Sequence, residues 1–191
     1  VPEIVAAQRS PEWYAARKDV ITASTAAACL GIGPNKELWA YNQICGDGQE
    51  DNRHMAWGRE HEEKARNAYE VLSGNLVIPC GFWLHQDYPW LGASPDGLVG
   101  DDVLVEVKCP QSLPTEIPPH HEIQMRVQLA VTDRFFCDYY VWLGREEFCR
   151  QIKRDLTIET DLLKRLKAFW ETYVQTKTPP ARRRTKKEGA A

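Results

Sequence analysis

Apolar positions recur along this chain with two different periods. Up to about residue 73 the spacing is helical. Ser10-Pro11-Glu12 sets a cap residue before a proline at the first helical position and predicts a short helix to about Lys18. Thr22-Ala23-Ser24 leads into an alanine-rich run to Leu30 that Gly31 and Gly33 close. Lys36–Cys45 predicts a third helix, stopped by Gly46-Asp47-Gly48, and a long one follows from about Asn52 to Ser73 with Gly74-Asn75 beyond its end. The period then shortens. Leu76–Leu84, Gly92–Val99 and Val103–Cys109 are rich in β-branched and aromatic residues and read as three strands. Pro114, Pro118 and Pro119 mark a loop before a helix from about His121 to Thr132. Two strands, Phe135–Leu143 and Glu147–Ile152, join at Gly144. A last helix, about Ile158 to Gln175, carries Leu162, Leu163, Leu166, Phe169, Trp170 and Tyr173 as a core-facing stripe. The expected class is α/β (α+β), with a central mixed β-sheet flanked by helices.

Composition narrows the classes. A chain of 191 residues, 43% hydrophobic and 27% charged, suits one globular domain and excludes a disordered or collagenous one. No apolar run approaches the ~20 residues of a membrane span, and Val1–Gln8 lacks the blocks of a signal peptide, so a cytoplasmic location and no membrane partner are expected. Six cysteines without a C-x-x-C pair read as small buried hydrophobes. Charge is uneven. Residues 177–191 hold six Lys/Arg and one acid, so residues 1–176 carry −8 of a net −3. The expected division is a single domain over 1–176 and a flexible basic tail over 177–191. An acidic body suits metal ions and a basic tail suits phosphates, against the plainer reading of a solvated terminus.

Chemistry concentrates in three places. On the long helix Met55, Gly58, Glu62, Ala65, Tyr69 and Leu72 share one face, and Glu62 is its only charged member. An inward carboxylate needs an ion pair or a metal. Ser94-Pro95-Asp96-Gly97 puts an acid in a turn. Ten residues on, the strand Val103–Cys109 alternates, with Val103, Val105 and Val107 on one side and Leu104, Glu106 and Lys108 on the other. Two carboxylates and a lysine in this order suit metal-assisted phosphodiester hydrolysis, although polar residues on one strand face are more commonly a solvated face. Gln124 and Gln128 lie at i and i+4 on the following helix, where an amide has the reach to orient a water; surface glutamines are the simpler reading.

Five segments in order carry a family resemblance. They are Trp13-x-x-x-Arg17-x-x-Val20-Ile21-Thr22-Ala23-Ser24, Trp57-Gly58-Arg59-Glu60-His61-Glu62, Ser94-Pro95-Asp96-Gly97, Glu106-Val107-Lys108-Cys109-Pro110, and Gln124 ahead of Leu129-Ala130-Val131-Thr132. The set resembles the lambda-type exonucleases, also called YqaJ-like viral recombinases, of the PD-(D/E)xK nuclease superfamily, over about residues 8–175. The resemblance implies a restriction-endonuclease-like core and a 5′→3′ exonuclease that degrades one strand of duplex DNA ends, leaving 3′ tails for recombination. It further implies a homotrimer and a single-strand annealing protein as partner. Asp96, Glu106 and the carbonyl of Val107 would hold Mg²⁺, or Mn²⁺ in its place. Lys108 would act on the attacking water, with Glu62 and Gln124 completing the site. Arg17 and Ser24 would hold the 5′-phosphate, a role that a guanidinium beside a helix start also suits on its own account. Capping by Ser24 is the plain alternative. Arg126 stands where relatives often carry a second glutamine, free to bind phosphate or to face solvent.

Other readings compete. One is a catalytically silent DNA-binding or recombination scaffold with a nuclease-like fold. A site-specific endonuclease of the same superfamily is another, disfavoured because internal cutting has no use for an end pocket. An iron–sulfur nuclease lacks its clustered cysteines, and His61-Glu62-Glu63-Lys64-Ala65 lacks the second histidine of a zinc hydrolase.

Overall fold

The computed structural model describes the backbone at residues 3–4, 10–34, 36–46 and 53–181, with side chains described at 10–34, 36–46 and 61–181. The predicted helices form close to their expected bounds. They are α1 (Pro11–Arg17), α2 (Ala23–Cys29), α3 (Glu37–Cys45), α4 (Arg53–Ser73), α5 (Pro119–Thr132) and α6 (Leu156–Phe169), the last running into a π-helical turn at Trp170–Val174. Ser10 caps α1 by accepting from the Trp13 N–H at 3.1 Å, as its place before Pro11 requires. Asp155 caps α6 in the same way through Thr157 and Ile158.

The strands are β1 (Glu3–Ile4), β2 (Ile21–Thr22), β3 (Phe82–Leu84), β4 (Leu91–Ala93), β5 (Gly97–Val99), β6 (Val103–Lys108), β7 (Phe136–Trp142) and β8 (Glu147–Lys153). The class is α+β, and the strands divide into two four-stranded mixed sheets in place of the single central one expected. The first has the order β1-β3-β4-β2 and the second β5-β6-β7-β8. The division falls inside the segment read as one strand, Gly92–Val99. Pro95 cannot donate a ladder hydrogen bond, so the chain leaves the first sheet after Ala93 and enters the second at Gly97.

Two parallel pairs, β2 with β4 and β6 with β7, organise the site. The second pair is a βαβ unit whose crossover contains α5. β6 and β7 are buried on both faces, between α4 and α5. Val105, Val107 and Tyr140 pack with Ala65 and Tyr69 of α4. Leu104, Cys137, Tyr139 and Val141 pack with Met125 and Leu129 of α5. The α4 stripe therefore buries Ala65 and Tyr69 as expected, whereas Leu72 near its end is half exposed; the Met55 and Gly58 side chains lie outside the described residues. On α6 and its π-helical extension, Leu162, Leu166 and Phe169 are buried and Trp170 donates from Nε1 to the Asp19 carbonyl at 2.8 Å.

Cys29 and Cys137 are the buried hydrophobes expected, but Cys45, Cys80 and Cys109 are half-buried and Cys149 is exposed; all six are free thiols. Among the described residues no helix is long and apolar enough to cross a membrane. At the tail boundary Lys177 pairs with Asp19 and Pro180 is buried; residues 182–191 lie outside the described residues.

Candidate active site

Glu106 lies mid-strand on β6 with its side chain turned toward α5, and it is 1% exposed. The solvated-face reading of this strand is thereby corrected: the face is polar because it is built around a buried carboxylate. Lys108, two residues on and on the same face, forms an ion pair with Glu106 Oε1 through its Nζ. Gln124 Nε2 donates to that same oxygen at 2.6 Å, and Gln124 Oε1 accepts from Lys108 Nζ at 3.3 Å. Gln128 Nε2 donates to the other oxygen, Oε2, at 2.5 Å. Hydrogen bonds to a charged acceptor contribute about 1.5–3 kcal/mol each when buried, so this set holds Glu106 in one rotamer.

Asp96 reaches the cluster from the turn between the sheets. Its Oδ2 accepts from the Val107 N–H at 2.7 Å, beyond Gly97–Val105, where β5 stops pairing with β6. A strand residue presents its N–H and C=O to one side, so the Val107 carbonyl belongs to the edge that Asp96 occupies. Gly97 makes the approach possible. A Cβ there would stand 2.1 Å from Val77 Cγ1 and 3.1 Å from Val105 Cγ1, so only glycine lets the turn settle against β6.

Electrostatically the cluster is strained toward a cation. Burial and the neighbouring Glu106 carboxylate push Asp96 well above the usual carboxylate range, against the opposing pull of Lys108. Burial draws the Lys108 ammonium down, but Glu106 and Asp96 outweigh it and raise it above its ordinary value. Glu62 on α4 adds its field to Asp96 and Cys109 and lies 3.8 Å from Arg66, whose Nη1 donates to the Asp96 carbonyl at 3.4 Å. Glu62 thus has the arginine partner that a partly buried carboxylate calls for, and its charge is felt at Asp96.

Among the described residues no three His, Cys, Asp or Glu side chains are grouped as a complete metal cage. The donor set suits a hard cation nonetheless. Glu106 Oε2 has one lone pair unused by Gln128, Asp96 Oδ1 is distinct from the oxygen that takes Val107, and Mg²⁺ needs only one or two carboxylates because it keeps several waters.

Sequence reasoning placed Gln128 on the surface. It is fully buried and touches Glu106 directly. It also began this helix at about His121 and gave that residue no role, whereas α5 begins at Pro119 and His121 Nδ1 bonds the Tyr139 hydroxyl at 2.7 Å. Burial, Lys108 and His120 push His121 down to about 3, which keeps its ring neutral beside the lysine. Arg126 does not simply face solvent: Nε and Nη2 bond Glu122 Oε1 at 2.9 and 2.6 Å, and the side chain is only 16% exposed.

Arg17 and Ser24 do not join the acidic cluster. They line a separate cleft of about 210 Å³ with Trp13, Tyr14, Thr22 and Gln43. The Arg17 guanidinium lies 4.0 Å above the Trp13 ring and 5.5 Å from that of Phe82, and burial draws it down to about 10. Ser24 is not the helix cap. Thr22 is the capping residue of α2, its N–H bonded to Thr25 Oγ1 at 3.1 Å, while the exposed Ser24 hydroxyl meets that of Thr22 at 3.1 Å. Trp13 Nε1 is buried in this region and, among the described residues, has no hydrogen-bond partner. The two places are linked through β2 and β4. Thr22 pairs with Gly92, so the start of α2 and the turn carrying Asp96 both leave the same end of a parallel strand pair.

A family model for the YqaJ-like viral recombinase domain matches residues 12–134. Among solved structures, the alkaline exonuclease LHK-Exo from Laribacter hongkongensis is 31% identical, with 87% of this chain and 95% of that chain covered and a TM-score of 0.75. LHK-Exo in complex with dAMP gives 30% identity, the same coverage and a TM-score of 0.76. A phage-related exonuclease from Haemophilus somnus 129PT, at 14% identity, 83% and 95% coverage and a TM-score of 0.65, shares the fold. No curated protein matches the chain.

Proposed function

The chain belongs to the YqaJ-like viral recombinase domain family, and from that premise we propose that it is a metal-dependent 5′→3′ exonuclease acting on double-stranded DNA ends. The relative LHK-Exo is an alkaline exonuclease. The single observation that carries the reading is the meeting of Asp96, Glu106, Lys108 and Gln124 at one end of β6. Two acids and an amine gathered there, with Lys108 in contact with Glu106 and Asp96 raised by burial and by the Glu106 charge, form a centre that a dication would relieve.

Asp96, Glu106 and the Val107 carbonyl would hold Mg²⁺ or Mn²⁺, with Glu62 extending the negative field. When bound, such an ion supplies acidification of water and offsets charge on the scissile phosphate. Lys108 orients the attacking water and exchanges a proton with it, held in place by Glu106 and Gln124. Gln124 holds Lys108 and Glu106 in register. The oxygen of water forms a bond to phosphorus as the bond from phosphorus to the 3′ oxygen breaks. The released nucleotide leaves with a 3′-hydroxyl and its original 5′-phosphate, and the shortened strand keeps the attacked group as a new 5′-phosphate. Arg17 and Ser24 bind the end phosphate, with the Trp13 indole N–H a further donor in that region. Each cleavage thus regenerates the group the cleft recognises. The 3′ tail left behind is the substrate of a single-strand annealing protein, and the working assembly is a homotrimer, which sedimentation would test.

Incubation with linear, nicked and covalently closed duplexes, with and without EDTA, tests the reading. Metal-dependent release of mononucleotides from linear duplex alone is the expected result. Cutting of closed circles would favour the endonuclease, and absence of hydrolysis the scaffold.

A further inference from the structure

We infer that Gln128 is a positioning residue for the metal centre: it fixes Glu106 so that Oε2 offers a single lone pair to the divalent cation. The inference rests on the metal-site reading above and goes beyond it. Lys108 and Gln124 both engage Oε1, which fills that atom's two lone-pair sites. Oε2 has one partner, the Gln128 amide at 2.5 Å, and is therefore the oxygen of Glu106 with capacity left for a cation.

The orientation of Gln128 is determined by its surroundings. Glu106 Oε2 is the acceptor at this contact, so the amide presents Nε2; the flipped amide would set oxygen against oxygen. Its own Oε1 faces the Cys137 thiol at 4.0 Å, a weak donor consistent with that choice. Helix geometry does the rest. Gln124 and Gln128 are one turn apart on α5, so they meet the two oxygens of one carboxylate from the same side. Gln128 is fully buried, with Met125 and Leu129 packed into the same layer, which leaves Glu106 no alternative rotamer on that flank. Groups that orient a metal-binding carboxylate typically change metal affinity by about 10–100-fold when removed.

The test titrates Mn²⁺ alone, followed by electron paramagnetic resonance of the free ion, into the full chain and into Gln128→Met and Gln128→Leu, each checked for folding by circular dichroism. Both substitutions approximate the side chain's length or volume and remove the donor. The expected result is Mn²⁺ binding by the unsubstituted chain and affinity about tenfold or more weaker in the variants. In DNA digestion the Mg²⁺ concentration for half-maximal rate should rise in parallel, while the rate at saturating Mg²⁺ changes less than about threefold. Variants that fold and bind Mn²⁺ within about twofold of the parent overturn the inference and leave the metal site standing. A parent chain that binds no Mn²⁺ overturns both. Should neither variant fold, the Gln128 side-chain amide resonances of the parent decide the matter: they should shift as Mg²⁺ is added, and signals that stay fixed overturn the inference.

Discussion

Around Glu106 the protein answers its own charges. Lys108, Gln124 and Gln128 satisfy both carboxylate oxygens, and the Val107 N–H satisfies one of Asp96. In the cleft of α1 and α2, Arg17 has the faces of Trp13 and Phe82 against it and, among the described residues, no carboxylate partner. One centre is preorganised by hydrogen bonds from within; the other holds a cation ready for a charge that must come from outside. The difference teaches where each site's specificity resides. The acidic cluster would be sensitive to small displacements of a few atoms, whereas the cleft would be sensitive to the charge of its ligand.

The strongest way to break this contrast is to remove Lys108. Lys108→Ala should lower nucleotide release by about 10²–10⁴-fold with the circular dichroism spectrum unchanged, the range associated with loss of a positioned proton-transfer group. A near-normal rate would show that the cluster is structural. The cleft should respond to a smaller and more selective degree. Arg17→Ala should slow digestion of 5′-phosphorylated ends by about 10–100-fold and bring it level with 5′-hydroxyl ends, because a charge-assisted hydrogen bond contributes about 1.5–3 kcal/mol. Equal rates on both ends in the parent chain would dissolve the pocket.

A third measurement sharpens the account of the internal charges. Asp96 titrates above its unfolded value because of burial and Glu106, so the folded state holds that proton more tightly than the unfolded chain does. Its contribution to stability is present below the ordinary carboxylate range and is lost as pH rises through the raised folded value. Urea midpoints in EDTA should therefore fall across that window in the parent chain, and the fall should be reduced in Asp96→Asn. Mg²⁺ should oppose it in the parent alone, since a cation binds the deprotonated acid. The smallest effect is expected at Arg126. Its pair with Glu122 is a local i, i+4 contact, so Arg126→Gln should cost about 0.3–0.5 kcal/mol by denaturation and leave digestion within about twofold.

Much of the site was legible because its parts obey short-range rules. Strand alternation set Glu106 and Lys108 on one face, and Pro95 in Ser94-Pro95-Asp96-Gly97 announced a break. The same proline should have divided Gly92–Val99, and the merged strand is why two sheets were read as one. β1 and β2, at two residues each, are too short to express a period at all. Gln128 was missed because an i, i+4 glutamine pair looks like a wet helix face. Its neighbours carried the contrary signal: Met125, Val127, Leu129, Ala130 and Val131 leave α5 no wet face at that level, so a glutamine there must have a buried partner. Which partner depends on the β6–α5–β7 crossover, a tertiary fact that no local window contains. The two-site arrangement was similarly hidden, since only the pairing of Thr22 with Gly92 relates the cleft to the acids.

The close contact at Gly97 has an engineering corollary. Randomising the turn that leads into β5 should return glycine at 97 in every active clone, since even alanine drives a methyl group into Val77. Efforts to retune ion preference would do better to vary the amide-bearing flank of α5, where side chains can be exchanged without levering the aspartate off its strand.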